Sequence, residues 1–155
     1  MGFIPYNEYR IKSITRGVIN LAKYQVEFFE TENGNIPVED FINSLDIKMS
    51  AKIYRLLMMV SENGAELREP HSKHLEDGIF ELRAKVGSNI TRILYFFFIG
   101  HRVIVTNGFI KKTQKIPRAE IDKAKTYREE YKKREEFNNE NTWKGTFRTN
   151  EKFRF

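Results

Sequence analysis

The sequence predicts an α+β domain of order β-α-α-β-β-β-α, and three patterns carry that prediction. Tyr24 to Glu30 and three later runs between Ile79 and Ile110 alternate apolar with polar residues or are rich in β-branched and aromatic side chains, as strands are. Between them, residues 37–62 repeat apolar positions at spacings of three and four, the period of helices packed on one side. A further helical pattern begins at Pro117. Each element must bury one face against another, so we expect a twisted, mainly antiparallel sheet packed by an N-terminal helical hairpin and a C-terminal helix.

In the first strand, YQVEFFE, Tyr24, Val26 and Phe28 oppose Gln25 and Glu27, and the turn-rich TENGN ends it. Pro37 opens a short helix with Val38, Phe41, Ile42 and Leu45 along one side. A second helix is expected from Ile47 to Glu62, where Ile53, Leu56, Leu57 and Val60 recur and Asn63-Gly64 supplies the stop. Ala65 to Asp77 reads as a polar connector. The strands Ile79–Val86, Ile90–Phe98 and Arg102–Ile110 follow, joined by hairpin-length Gly87-Ser88-Asn89 and Gly100-His101. The last helix should run from Pro117 to about Arg134, with Ile121, Ala124, Tyr127 and Tyr131 inward. This divides the chain into an extension at 1–22, a body at 23–136 and a basic, aromatic tail at 137–155 with no long helical period. In that tail Trp143, Phe147, Phe153 and Phe155 stand among Lys144, Arg148, Lys152 and Arg154, a mixture able to stack on bases and hold phosphates.

Composition narrows the function. With 155 residues, 40% of them hydrophobic, the chain can build one real core. It has no cysteine, which excludes disulfides and thiolate-bound metals and fits a reducing compartment, so the cytoplasm is expected. No run approaches the roughly 20 apolar residues of a membrane span, and MGFIPYNEYRIK lacks the basic-then-apolar order of a secretory signal. The net charge is +6, and Phe109 to Arg134 alone holds ten Lys/Arg against four acids, a surplus equal to the whole. An acidic partner such as RNA would therefore be met at one end of the molecule.

The candidate chemistry lies in the three adjacent strands. In IFELRAK, Phe80, Leu82 and Ala84 share one face and Glu81, Arg83 and Lys85 the other. Arg92 interrupts the apolar run ITRILYFFF and must find a partner or reach solvent. GFIKK delivers Lys111 and Lys112 at the sheet margin, so Arg83, Arg92 and the lysine pair can converge on one face. Cleavage of an RNA backbone by its own 2′-hydroxyl needs a base, a proton for the departing 5′-oxygen, and cations for the charge growing on phosphate. Arginine supplies the last through its planar fork, and a lysine crowded by cations could serve as base or acid. Lys85 and Lys115 are further candidates to bind substrate; Lys115, with Arg118, Lys123 and Lys125, also fits a solvated helix face. Of the histidines, His101 falls in a turn, His71 and His74 flank the connector, and His74 is the candidate to hold RNA or share proton transfer. Glu81 fits an ion-pair partner of Arg83 better than a base. No spacing of metal ligands is present, and no cofactor is expected.

With PVEDFINSL, HLEDGIFELR, TRILYFF and GFIKKTQKIPRAEIDKA in that order, Tyr24 to about Arg134 resembles the HigB-like, phage-derived branch of the RelE/ParE toxin superfamily of type II toxin-antitoxin systems. The resemblance implies a RelE-like fold and a metal-independent endoribonuclease that cuts mRNA in the ribosomal A site. It also implies a cognate helix-turn-helix, HigA-like antitoxin. By position it places Arg83 and Arg92 around the scissile phosphate and Lys111 or Lys112 as a further phosphate-stabilising cation. Glu81 stands where some RelE proteins have a second lysine, and Ile121 where they carry a tyrosine. Their acid and base assignment therefore does not transfer, and Lys111, Lys112 or His74 would have to fill the gap. Two alternatives share these features: a ParE-like inhibitor of DNA gyrase, and a non-catalytic RNA- or ribosome-binding module.

Overall fold

A computed structural model describes residues 23–151. The extension at 1–22 lies outside the described residues, as do 152–155 and the side chains of 143–151, so the tail's Trp143, Phe147, Phe153 and Phe155 fall outside too. The elements are β1 (Gln25–Phe28), α1 (Pro37–Asn43), α2 (Ile47–Asn63), β2 (Ser72–Glu76), β3 (Ile79–Val86), β4 (Asn89–Phe98), β5 (Arg102–Ile110) and α3 (Arg118–Glu151). The α+β class holds, with one five-stranded sheet in the order β1-β5-β4-β3-β2. Only β1 runs parallel to its neighbour, β5; every other pair is antiparallel.

Both helices of the hairpin begin where local chemistry says they should. Pro37 occupies the first turn of α1, and the Asp46 carboxylate caps α2 by accepting from the Met49 N–H at 2.9 Å. Val38 and Ile42 from α1, and Met49, Ile53, Leu56, Leu57 and Val60 from α2, pack against Leu82, Ala84, Ile93, Tyr95, Val103 and Val105 on one face of the sheet. Gly108 lets α1 come this close, since a Cβ there would stand 2.5 Å from the Phe41 ring and 2.6 Å from Ile93. The opposite face, built from Phe29, Ile79, Leu94, Phe96, Ile104 and Phe109, packs on Ala124 and Tyr131 of α3.

Two features depart from the sequence reading. The connector Ala65–Asp77 contains β2, giving the order β-α-α-β-β-β-β-α. Its residues SKHLE escaped the pattern because an edge strand buries little: only Ser72 is fully covered, its hydroxyl 2.5 Å from the Tyr95 phenol, and a bulge between His74 and Glu76 breaks the alternation. The final helix also continues past Arg134 to Glu151 instead of giving way to a tail at 137. From Glu136 to Thr142 every described side chain is exposed, Phe137 included, so this part of the helix carries no apolar stripe that would have revealed a period.

Much of the basic surplus of α3 is spent on holding that helix in place. Arg118 and Lys125 both reach Glu76, Lys125 at 2.8 Å, and Arg128 grips Asp77 through its carboxylate at 2.8 Å and through its carbonyl. Arg118, still exposed as expected of it, and the partly covered Lys125 thus form a clamp on the β2–β3 turn. Further along, Arg102 on β5 bonds Glu27 of β1 at 3.2 Å and Glu135 of α3 at 3.0 Å, while the Tyr131 hydroxyl donates to Glu27 at 2.5 Å. Burial and that bond to Glu27 push the Tyr131 phenol above its ordinary range.

Gly108→Ala should lower stability by about 1–3 kcal/mol in urea denaturation, the cost of overpacking a tight contact. The clamp should be acid-labile. Hydrogen bonds from Lys125 and Arg118 hold the Glu76 carboxyl below its usual range, and the bond from Arg128 does the same for Asp77. Folded values below the unfolded ones mean a contribution that is full above about pH 4 and fades as the pH falls through the lower folded values. Thermal midpoints measured from pH 6 to pH 3 should therefore drop less for the Glu76→Gln/Asp77→Asn variant than for the parent chain.

Candidate active site

Strand register decides which basic residues meet. Opposite β3, the partners run Glu81 with Leu94, Arg83 with Arg92 and Lys85 with Ile90. Across β4 and β5, Leu94 pairs with Asn107 and Arg92 with Phe109, and the Lys111 N–H bonds the Ile90 carbonyl at 2.8 Å, extending the ladder by one residue. Partners side by side in a sheet share a face. The face that carries α3 therefore holds, next to the start of that helix, one row of Arg83, Arg92 and Phe109 and a second of Lys85, Ile90 and Lys111.

A bulge in β5 makes this alignment possible. Between the pairs Leu94–Asn107 and Tyr95–Val105 the residue Thr106 is extra, and its hydroxyl bonds the Leu94 carbonyl at 3.2 Å and Asn107 Oδ1 at 2.7 Å. Without it every later side chain of β5 would change sides. The bulge assigns Phe109 and Lys111 to the arginine face and leaves Lys112 on the other parity, exposed. Asn107 in turn donates to the carbonyl of Glu120 at 3.2 Å and to its carboxylate at 2.9 Å, tying the first turn of α3 to the margin of the site.

The two arginines have different standing. Arg92 is buried, its side chain 6% exposed, and its Nε lies 3.2 Å from Oε2 of Glu81, itself 3% exposed. The other Glu81 oxygen lies 3.4 Å from Arg83 Nε, and the Arg83 side chain is 32% exposed. One buried carboxylate thus serves two guanidiniums, which bears out Glu81 as an ion-pair partner. Burial draws the Arg92 guanidinium below its ordinary value; Glu81 opposes that effect and Arg83 adds to it. Arg92 is accordingly a buried support, while Arg83, Lys85 and Lys111 offer charge to a ligand. On the edge, Lys73 pairs in register with Glu81, and Glu69 lies 3.8 Å from Lys73 and 3.9 Å from Arg83. The group remains cationic: among the described residues, Glu69 and Glu81 are the anions paired with Lys73, Arg83 and Arg92, and Lys85 and Lys111 add two further cations.

The remaining candidates fall elsewhere. His74 pairs with Phe80 on the helical-hairpin face, its ring 5.0 Å from the Phe80 ring, and its Nε2 accepts from the Gly78 N–H at 3.2 Å. It does not join the arginines. Lys115 is exposed in the loop before α3, where its carbonyl accepts from the Thr113 hydroxyl at 2.8 Å. Ile121 is buried at 8% exposure, so the position implied for a tyrosine holds packing and no proton donor.

One residue was passed over in the sequence. The Arg83 N–H bonds the His71 carbonyl at 2.9 Å, which carries the β2–β3 register one step past Ser72. Ser72 is buried toward the hairpin face, so alternation turns His71 to the side of Arg83 and Arg92. The signal needed was β2 itself, since without that strand the parity of His71 and His74 cannot be assigned. Among the described residues no His, Asp and Glu side chains group so as to hold a metal ion.

The model of the family described as phage-derived protein Gp49-like matches residues 40–129, more than half of the chain and every strand of this site. The chain belongs to the Gp49-like family. This is a RelE/toxin-like family, consistent with the toxin module of a toxin-antitoxin pair. No curated protein matches the chain. The Gp49-like match ends at Glu129, within α3. No described helix of this Gp49-like chain is long and apolar enough to cross a membrane.

Glu81→Leu should destabilise the protein by about 3–5 kcal/mol, because it strands a buried guanidinium. Arg92→Leu should cost a similar amount, and the double variant much less than the sum. A urea double-mutant cycle with a coupling of about 2 kcal/mol or more is the expected result, against near-additivity if the pair were incidental.

Proposed function

We propose that this Gp49-like protein is the toxin of a type II toxin-antitoxin system, a HigB-like endoribonuclease that cuts mRNA on the ribosome. The observation that carries the reading is the cluster of Arg83, Lys85 and Lys111 on one sheet face, held over the buried Arg92–Glu81 pair. Backbone cleavage by the 2′-hydroxyl draws negative charge onto the non-bridging phosphate oxygens. Fixed cations that meet this charge without reorganising lower the barrier. Arg83 has the fork geometry for two phosphate oxygens, and Glu81 fixes its Nε edge. Lys111, across Arg92, meets the same phosphate from the other flank, while Lys85 suits the next phosphate along the strand. Phe109 beside Arg92 is buried at 8% exposure and offers little area for a base to stack on.

On this reading the partners are mRNA in the ribosomal A site and a cognate helix-turn-helix, HigA-like antitoxin, and the site of action is the cytoplasm. The ribosome contributes by presenting a single-stranded, ordered message. A surface with so few accessible cations has little with which to order RNA alone.

In a translation extract programmed with one defined mRNA, the chain should produce codon-positioned breaks seen by primer extension. Arg83→Ala and Lys111→Ala should each slow them by about 10²–10³-fold, the usual loss for one charge-stabilising donor, with circular dichroism unchanged. Lys112→Ala should stay within a few-fold of the parent. An intact message together with gyrase-dependent DNA breaks would replace this reading by the ParE-like one. Salt-sensitive RNA binding without any cleavage would make the protein a binding module.

A further inference from the structure

Resting on the endoribonuclease reading, we propose that His71 is the general base of the reaction, taking the proton from the attacking 2′-hydroxyl. The Arg83 N–H bonds the His71 carbonyl just before β2 begins, so alternation carried one residue past Ser72 assigns His71 to the flank beside Arg83, with Arg92 next along and Lys111 at the far flank, one row displaced. In-line displacement at phosphorus requires the attacking and leaving oxygens on opposite sides of the phosphate. The groups that serve them must stand on opposite sides too. His71 and Lys111 stand on opposite sides of the arginines, separated by three strand spacings, about 14 Å between backbones.

The chemistry assigns the direction. A lysine carries its proton at neutral pH and is the donor of the two; a neutral imidazole has a free nitrogen and can accept. The 2′-oxygen forms its bond to phosphorus while its proton passes to a ring nitrogen of His71. The bond from phosphorus to the 5′-oxygen breaks, and that oxygen takes a proton from Lys111 Nζ. The products are a 2′,3′-cyclic phosphate and a 5′-hydroxyl end, and exchange with water resets both side chains. Nothing competes for the imidazole: among the described residues it is half-buried, with no hydrogen-bond or ion-pair partner for its ring. Glu81 is not free for the task, because both of its oxygens face guanidiniums.

Two substrates and one additive test the assignment. With ribosome-bound mRNA carrying the ordinary linkage, His71→Ala should lose about 10²–10⁴-fold in cleavage rate, the span of general acid-base catalysis, and millimolar imidazole should restore at least tenfold of it. With a 5′-bridging sulfur at the cut position, whose departure needs no proton, Lys111→Ala should recover toward the parent rate while His71→Ala should not. Recovery of His71→Ala on the sulfur substrate would reverse the assigned direction and overturn the proposal. A His71→Ala variant that cuts as fast as the parent would also overturn it while leaving the endoribonuclease reading intact. A parent chain that cuts nothing would remove that reading first.

Discussion

A carboxylate buried between two guanidiniums governs what this molecule can present to a ligand. Glu81, at the centre of β3, faces Arg92 beneath and Arg83 above, and neither arginine has a comparable second anion, Glu69 being exposed and at the edge. Desolvating Arg92 and Glu81 with a second guanidinium beside them is costly, and the register of β3 and β4 places Arg83 directly against Arg92. The residual positive charge then has one outlet, the open part of the sheet face. A phosphate placed there would supply the missing negative charge.

Two further constraints make that face usable. The Thr106 bulge flips the parity of β5, so that Phe109 and Lys111 align with the arginines and Gly108 turns under Phe41 of α1. A single irregularity therefore serves the core and the site together. The clamp from Arg118, Lys125 and Arg128 to Glu76 and Asp77 seats the start of α3 beside the site. Charge that looks available for nucleic acid along the sequence is consumed in packing at these positions, and what remains is smaller and better placed.

The legible parts of the fold were those whose burial leaves a period. Ile53, Leu56, Leu57 and Val60 marked α2, and the alternation of Phe80, Leu82 and Ala84 marked β3 and its buried side. Arg83 and Arg92 were legible as neighbours because both lie on strands joined by a short hairpin. Their unequal exposure was not, since it is set by tertiary packing around the two strands. The edge strand β2 buries almost nothing on its own, and its absence from the pattern hid His71 and misplaced His74. The choice between Lys111 and Lys112 turned on a bulge at Thr106, and a bulge of this kind leaves no mark in hydrophobic periodicity. The helix from Glu136 to Thr142 is exposed throughout, so no stripe announced it.

On the proposed function the protein is a transesterase that uses the RNA's own 2′-hydroxyl, with fixed cations on β3 and β5 around the phosphate. Its most direct test is the chemistry of the ends left on ribosome-bound mRNA after incubation with the purified chain. Fragments ending in a 2′,3′-cyclic phosphate or its 3′-phosphate hydrolysis product, paired with 5′-hydroxyl ends, are the predicted result. Ends bearing 3′-hydroxyl and 5′-phosphate, or no new ends at all, would contradict it.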